Sequence, residues 1–166
     1  MSNNWNEIKW IFEPDGTLRD LYVQDAKIED WKNLVDFLNE NYILKFGPSV
    51  GDEVDEKIDK DYVIRFWNDE TGELELRTAS VIIDNITINT HFFSDEEIEF
   101  DIDPSEINSE KDFEKVLIFM NNISRALHKP IILTGENQVN FPLVIVDFSK
   151  DIIKVLSKSE AEKLWK

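Results

Sequence analysis

Hydrophobic positions along this chain switch between a period of two and a period near 3.6, the spacings of a half-buried strand and of an amphipathic helix. The clearest strand pattern spans residues 97–103, where Ile98, Phe100 and Ile102 alternate with Glu97, Glu99, Asp101 and Asp103. The clearest helix pattern follows it. Phe113, Val116, Leu117, Met120, Ile123 and Leu127 recur at helical spacing behind Ser109-Glu110-Lys111-Asp112, which resembles a capping box, and Pro130 prevents continuation. A second helix is predicted behind Asp25, read as its N-cap, with Ile28, Trp31, Leu34, Val35 and Leu38 on one face and Asn41 at its end.

Strands are predicted over residues 7–12 and 18–23, joined by the turn Glu13-Pro14-Asp15-Gly16. Further strands are predicted at 43–46, 62–67, 74–78, 81–83, 86–92, 131–134, 143–148 and 152–156, with Asp84-Asn85 as a hairpin turn. Ser159 is read as the cap of a short C-terminal helix. Residues 47–61 carry Gly47-Pro48, Gly51 and six acids, and are read as an exposed acidic loop. The elements assemble into one globular domain over residues 1–166 of the α+β class. A largely antiparallel sheet carries two principal helices packed on one face, and its other face meets solvent or a partner. The alternative arrangement divides the strands into two sheets near residues 47–61.

Charge changes this picture. The 166 residues hold 35 acidic and 18 basic side chains, a net charge of -17. Residues 149–166 carry Lys150, Lys154, Lys158, Lys163 and Lys166 against Asp151, Glu160 and Glu162, a net +2, so the first 148 residues carry -19. Such a body repels nucleic-acid phosphates and anionic membranes and attracts basic proteins. Acidity by itself also serves solubility. The density peaks between Asp95 and Glu106, where seven of twelve residues are acidic and none is basic. Like charges in a row repel, and strands disfavour Asp and Glu, so folding alone does not ask for this pattern. Two explanations compete: a partner-facing surface, or a charged sheet edge guarded against aggregation.

Candidate chemistry is sparse. With no cysteine, disulfides, thiol nucleophiles and cysteine-based metal sites are excluded, and a reducing cytoplasm is expected. No secretory signal opens the chain, and no run approaches the roughly 20 apolar residues of a membrane helix. The two histidines, His91 and His128, have no metal-binding spacing. His91 reads as an ordinary strand histidine, with a proton switch as its functional alternative. No glycine pattern builds a phosphate loop. Asp101-Ile102-Asp103 spells a DxD, but without a nucleotide-binding half. An enzyme is not expected, nor a cofactor, nor a dedicated metal site; weak divalent-metal binding or a small enzyme is the outlying alternative. Trp67, beside Asn68-Asp69-Glu70, reads either as an interface anchor or as a packing residue.

A small, cysteine-free, acidic α+β chain of this style resembles the immunity proteins of bacterial polymorphic-toxin and contact-dependent inhibition systems. The local carriers of the resemblance are residues 10–20 (Trp10-Ile11-Phe12-Glu13-Pro14-Asp15-Gly16 and onward) and residues 91–104, from His91-Phe92-Phe93 through the acidic strand to Pro104. No single immunity family is assigned. The resemblance implies a cytoplasmic inhibitor that binds the toxin domain of its own system, often a nuclease, with neither nucleic acid nor membrane as partner. On that expectation the partner-binding residues are Glu97, Glu99, Asp101 and Asp103, with Asp95, Glu96 and Glu106 at the rim and Trp67 nearby. The competing expectation is a DNA mimic or regulator occupying a basic nucleic-acid-binding protein.

Overall fold

The computed structural model describes residues 4–48 and 53–165. Within them lie five helices: α1 (Trp5–Ile8), α2 (Ile28–Asn41), α3 (Lys60–Trp67), α4 (Glu110–Leu127) and α5 (Lys158–Leu164). Eight strands accompany them: β1 (Arg19–Val23), β2 (Ile43–Pro48), β3 (Arg77–Ile83), β4 (Ile86–Thr90), β5 (Ile98–Ile102), β6 (Ile131–Gly135), β7 (Val144–Asp147) and β8 (Ile152–Val155). The strands form one continuous sheet in the order β2-β3-β4-β5-β1-β6-β7-β8, every pairing antiparallel. The sheet is therefore not divided near residues 47–61.

The two-residue period of each strand sorts its side chains. On one face of β5, Ile98, Phe100 and Ile102 are fully buried. Register places Phe100 opposite Leu21 and Ile102 opposite Ile88. Phe100 meets Phe119 of α4 edge to face at 5.3 Å. α4 commits Phe113, Val116, Phe119, Met120, Ile123 and Leu127 to this core, and α2 commits Trp31, Leu34, Val35 and Leu38. Tyr42, just past α2, joins the two helices: its ring meets Phe119 at 5.5 Å and its hydroxyl accepts from Asn122 Nδ2 at 3.1 Å. Each large apolar side chain taken from water here stabilises by about 1.5–3 kcal/mol, which explains why both principal helices lie on the apolar face.

Two segments expected as strands are helical. Residues 7–12 lie in α1 and a following 3-10 turn over Lys9–Phe12. Asn4 caps this start by accepting from the Asn6 N–H at 3.1 Å. Ile8, Ile11 and Phe12, at helical spacing, are the buried side chains, and Phe12 packs on Phe113 at 5.4 Å. Residues 62–67 lie in α3, capped by Asp59, whose Oδ1 accepts from Tyr62 N–H at 3.1 Å. In both cases the aromatic and β-branched residues suggest a strand, but a capping side chain and an i, i+3 or i, i+4 burial pattern prevail.

Smaller corrections follow the same physics. One strand, β3, runs unbroken from Arg77 to Ile83, joining the end of the expected 74–78 segment to 81–83, while residues 74–76 lie outside any strand. Asp25 has a positive φ of 54° and does not cap α2; Lys27 is the cap residue, and the Asp30 carboxylate accepts from its N–H at 2.9 Å. Asn41 is the last helical residue, followed by an extended Tyr42. Ser157, not Ser159, caps α5, reciprocated by Glu160. The acidic loop is narrower than 47–61. Gly47 and Pro48 complete β2, Asp55 bridges back to Phe46, Ile58 is buried, and α3 begins at Lys60. Residues 49–52 of that loop lie outside the described residues.

Candidate functional site

β5 is the fourth strand of eight, bonded to β4 on one side and β1 on the other. It is not an edge, so its carboxylates do not guard one. They line the face of the sheet opposite α2 and α4, because residues 97, 99 and 101 alternate with the buried Ile98, Phe100 and Ile102.

Across this face the neighbouring strands answer the carboxylates with polar groups. Asp101 lies opposite Asn89 on β4 and Asp20 on β1; Glu99 lies opposite Tyr22. Asn89 Nδ2 donates to Asp101 Oδ1 at 3.2 Å, and Asn89 Oδ1 accepts from the Ser80 hydroxyl at 2.7 Å. His91 Nε2 lies 2.6 Å from Asp101 Oδ2, and its Nδ1 lies 2.9 Å from the Thr78 hydroxyl. On the other side, Asp20 is only 2% exposed, and Tyr22 O–H and the Asn137 N–H both donate to its Oδ2 at 2.8 Å. A hydrogen-bonded ladder thus ties β3, β4 and β5 together, and a second ties β1 to the β6–β7 connection.

The acids between these ladders are treated differently. The carboxylates of Glu97 and Glu99 gain no hydrogen bond from the described residues. Burial, reinforced by the charges of Asp20, Glu97 and Asp101, pushes the Glu99 carboxyl up to about 7. Burial alone raises Glu97. The hydrogen bond to Asp101 raises His91 above its ordinary value, against the opposing effect of burial. Burial first, then the bond to Asp20, drives the Tyr22 phenol up as well. Like charges held in a half-buried setting are costly, and they are held here by strands fixed through their apolar face.

The remaining expected residues take other positions. Asp95 and Glu96 are exposed in the turn before β5, where Ser94 Oγ accepts from the Glu96 N–H at 3.1 Å. Asp103 caps a 3-10 turn at Pro104–Glu106, and the two Ser105 bonds hold its carboxyl below the usual range. Glu106 Oε1 accepts from the Thr87 N–H at 3.0 Å. Trp67 sits on the apolar side of the sheet. Its indole donates to the Phe92 carbonyl at 2.7 Å and its ring lies 5.4 Å from Trp31.

The ladder brings together groups that the sequence does not place together. Thr78, His91 and Asp101 form a hydroxyl–imidazole–carboxylate chain across three strands. Both ring nitrogens are occupied, so either neutral or protonated imidazole is satisfied. A signal was available: Thr78/Ser80, Asn89/His91 and Glu99/Asp101 are polar pairs two apart on three strands, and period two puts each pair on one face. Beside the ladder a cavity of about 100 Å³ is lined by Trp31, Phe92, Phe93, Ser94, Glu97 and Glu99. Among the described residues no three potential ligands from His, Asp and Glu are grouped to hold a metal ion, and no helix is long and apolar enough to cross a membrane.

No family model, no curated protein and no solved structure matches this chain.

Proposed function

We propose that this chain is an immunity-type protein that binds and neutralises a cognate toxin domain through the open acidic face of its sheet. The observation that carries the proposal is the interior position of β5. A charged edge strand has a sufficient reason in aggregation control; a charged central strand does not. The charges of Asp20, Glu97 and Asp101 add to the cost of ionising half-buried Glu99, and a basic surface laid on it relieves that cost.

A nuclease toxin presents lysines and arginines that bind phosphates, and a rigid carboxylate array can occupy them in place of a nucleic-acid backbone. Glu97 and Glu99 form the centre of the proposed interface, since their carboxylates are not engaged within the protein. Asp101 supports it from the ladder. Asp95 and Glu96 extend the face beyond the strand, while Asp103 and Glu106 contribute charge from positions fixed by local bonds. The proposal locates the protein in the cytoplasm and requires no catalytic group.

Co-expression tests it. The gene adjoining this one is expressed in a sensitive host, alone and with this protein. Growth restored by the native chain, and not by the double variant Glu97→Lys/Glu99→Lys, is the expected result. Full protection by that variant would remove the acidic face from the interface. If the partner recovered from the native host is a nucleic-acid-binding regulator with no toxic activity, the DNA-mimic reading replaces the immunity reading.

A further inference from the structure

The two outer edges of the sheet are finished differently. At the β2 edge, Asp55 exchanges both backbone bonds with Phe46, at 2.7 and 2.8 Å, and the strand ends on Pro48, which has no N–H to offer. At the opposite edge, no strand among the described residues pairs with the outer side of β8. The ladder shows which groups stand open. Leu156 N–H donates to the Leu143 carbonyl at 2.9 Å, and in the same register Lys154 lies opposite Ile145 and Ile152 opposite Asp147. Residues of an antiparallel strand turn their backbone groups alternately to one neighbour and the other. Lys154 and Ile152 therefore bond to β7, and the N–H and C=O of Ile153 and Val155 point outward.

The side chains leave this edge equally open. Ile153 lies opposite buried Val146 on the helix side of the sheet and Ile152 lies on the other face, yet both are exposed, at 40% and 42%. Phe148, in the turn that leads into β8, is exposed as well. A guarded edge carries charges or proline; β8 carries one charge, Lys154, beside three apolar residues. Net charge does not keep a second chain away from this end. Residues 147–165 set Lys150, Lys154, Lys158 and Lys163 against Asp147, Asp151, Glu160 and Glu162, a balance of zero in a chain whose net charge is -17.

We infer that β8 is a self-association edge, on which a second copy of this chain pairs its own β8 antiparallel across a two-fold axis. Side chains select the register. Centring the pair on Lys154 sets two ammonium groups directly opposite each other, which is destabilising. Centring it on Val155 carries the pairing into the capped start of α5, where the strand has ended. Centring it on Ile153 sets Ile153 against Ile153 of the second copy and Ile152 against its Lys154. The two Ile153 residues then exchange N–H to C=O bonds, with their Cα atoms about 5.5 Å apart, and cover each other's exposed side chains. The acidic faces do not oppose this arrangement. Glu99 lies four strands in from β8, so with one spacing across the axis the two Glu99 residues stand about nine spacings of ~4.8 Å, or roughly 43 Å, apart. That is several times the Debye length of about 8 Å at physiological salt. Both acidic faces stay uncovered, so the inference does not depend on the proposed function.

Sedimentation equilibrium on the full chain tests it. The 19.5 kDa protein is expected to show a reversible monomer–dimer equilibrium with a Kd on the order of 10–100 µM, as suits a small interface. Ile153→Pro deletes an outward N–H and leaves the bonds to β7 in place, a position where an edge strand accepts proline. It should weaken association about tenfold or more, through the two bonds lost across the axis. Should that variant unfold, Ile153→Lys, which sets charge against charge at the axis, is expected to be monomeric and folded. The register is read separately. The chain has no cysteine, so Ile153→Cys introduces a single thiol whose Cα spacing across the axis falls in the range a disulfide spans. Under mild oxidation it should form a covalent dimer several-fold faster than Ile118→Cys, on the exposed side of α4. A native chain that stays monomeric at about 500 µM, well above the Kd of even a small interface, would overturn the inference. So would folded Ile153 variants that dimerise as tightly as the native chain, or equal crosslinking rates at the two positions.

Discussion

Replacing Glu99 by glutamine keeps the shape of the side chain and removes one charge from the centre of the open face. In the native chain burial and the charges of Asp20, Glu97 and Asp101 hold this carboxyl at about 7 instead of the ordinary 4.5. That difference corresponds to roughly 3 kcal/mol against the ionised form at about 1.36 kcal/mol per pH unit. Water at the half-buried carboxylate screens it to about 1–2 kcal/mol. Because the folded-state value lies above the unfolded one, the folded chain binds the extra proton between pH 4.5 and about 7. Stability therefore falls as pH rises through that window, and the full cost is present above it. His91 acts in the same sense. Its raised value contributes stability that is complete below its ordinary 6.5 and lost as pH rises through the higher folded value. Glu99→Gln should match the native chain near pH 5 and exceed it at pH 8 by about 1–2 kcal/mol, or roughly 3–6 °C in Tm for a chain of this size. Urea or thermal unfolding from pH 5 to 8 measures this, with the residual slope of the variant assigned to His91 and to the raised Glu97 together. Parallel pH curves for the two proteins, or a variant less stable at pH 8, would refute the electrostatic account. A stabilised variant that also loses partner binding is the outcome expected of a site that holds strain for function.

Two further substitutions probe the frame around the face. Trp67→Phe should cost about 1 kcal/mol through the lost bond to the Phe92 carbonyl, and should leave partner protection unchanged; weakened protection at equal stability would return Trp67 to the interface. Arg19→Lys should cost about 2–3 kcal/mol in urea unfolding. The buried guanidinium donates to the carbonyls of Ile11 and Glu13 and to Asp15 and Thr17, and a single ammonium cannot span that set; a loss under 1 kcal/mol would show that the turn holds itself.

The sequence by itself determined the fold class, the face of β5 that is buried and the helix α4 with its Ser109 cap, because these follow from local periodicity and side-chain capping. It misread residues 7–12 and 62–67, where aromatic and β-branched composition outweighed short helical spacing and the caps Asn4 and Asp59 went unused. It also put Glu97, Glu99 and Asp101 on one face, but wrongly added Asp103, which leaves the strand to cap a 3-10 turn, and it did not show what stands beside them. Only the tertiary structure decided that β5 lies fourth of eight, since strand order is set by long-range pairing that no local pattern encodes. That order brings His91 to Asp101, Tyr22 to Asp20, and Trp31 of α2 to Glu97 and Glu99. It divides the half-buried acids of the stretch into those with partners and two, Glu97 and Glu99, without one among the described residues. A row of like charges is legible in a line of letters; which of those charges lack a counter-charge depends on side chains delivered from distant strands and helices.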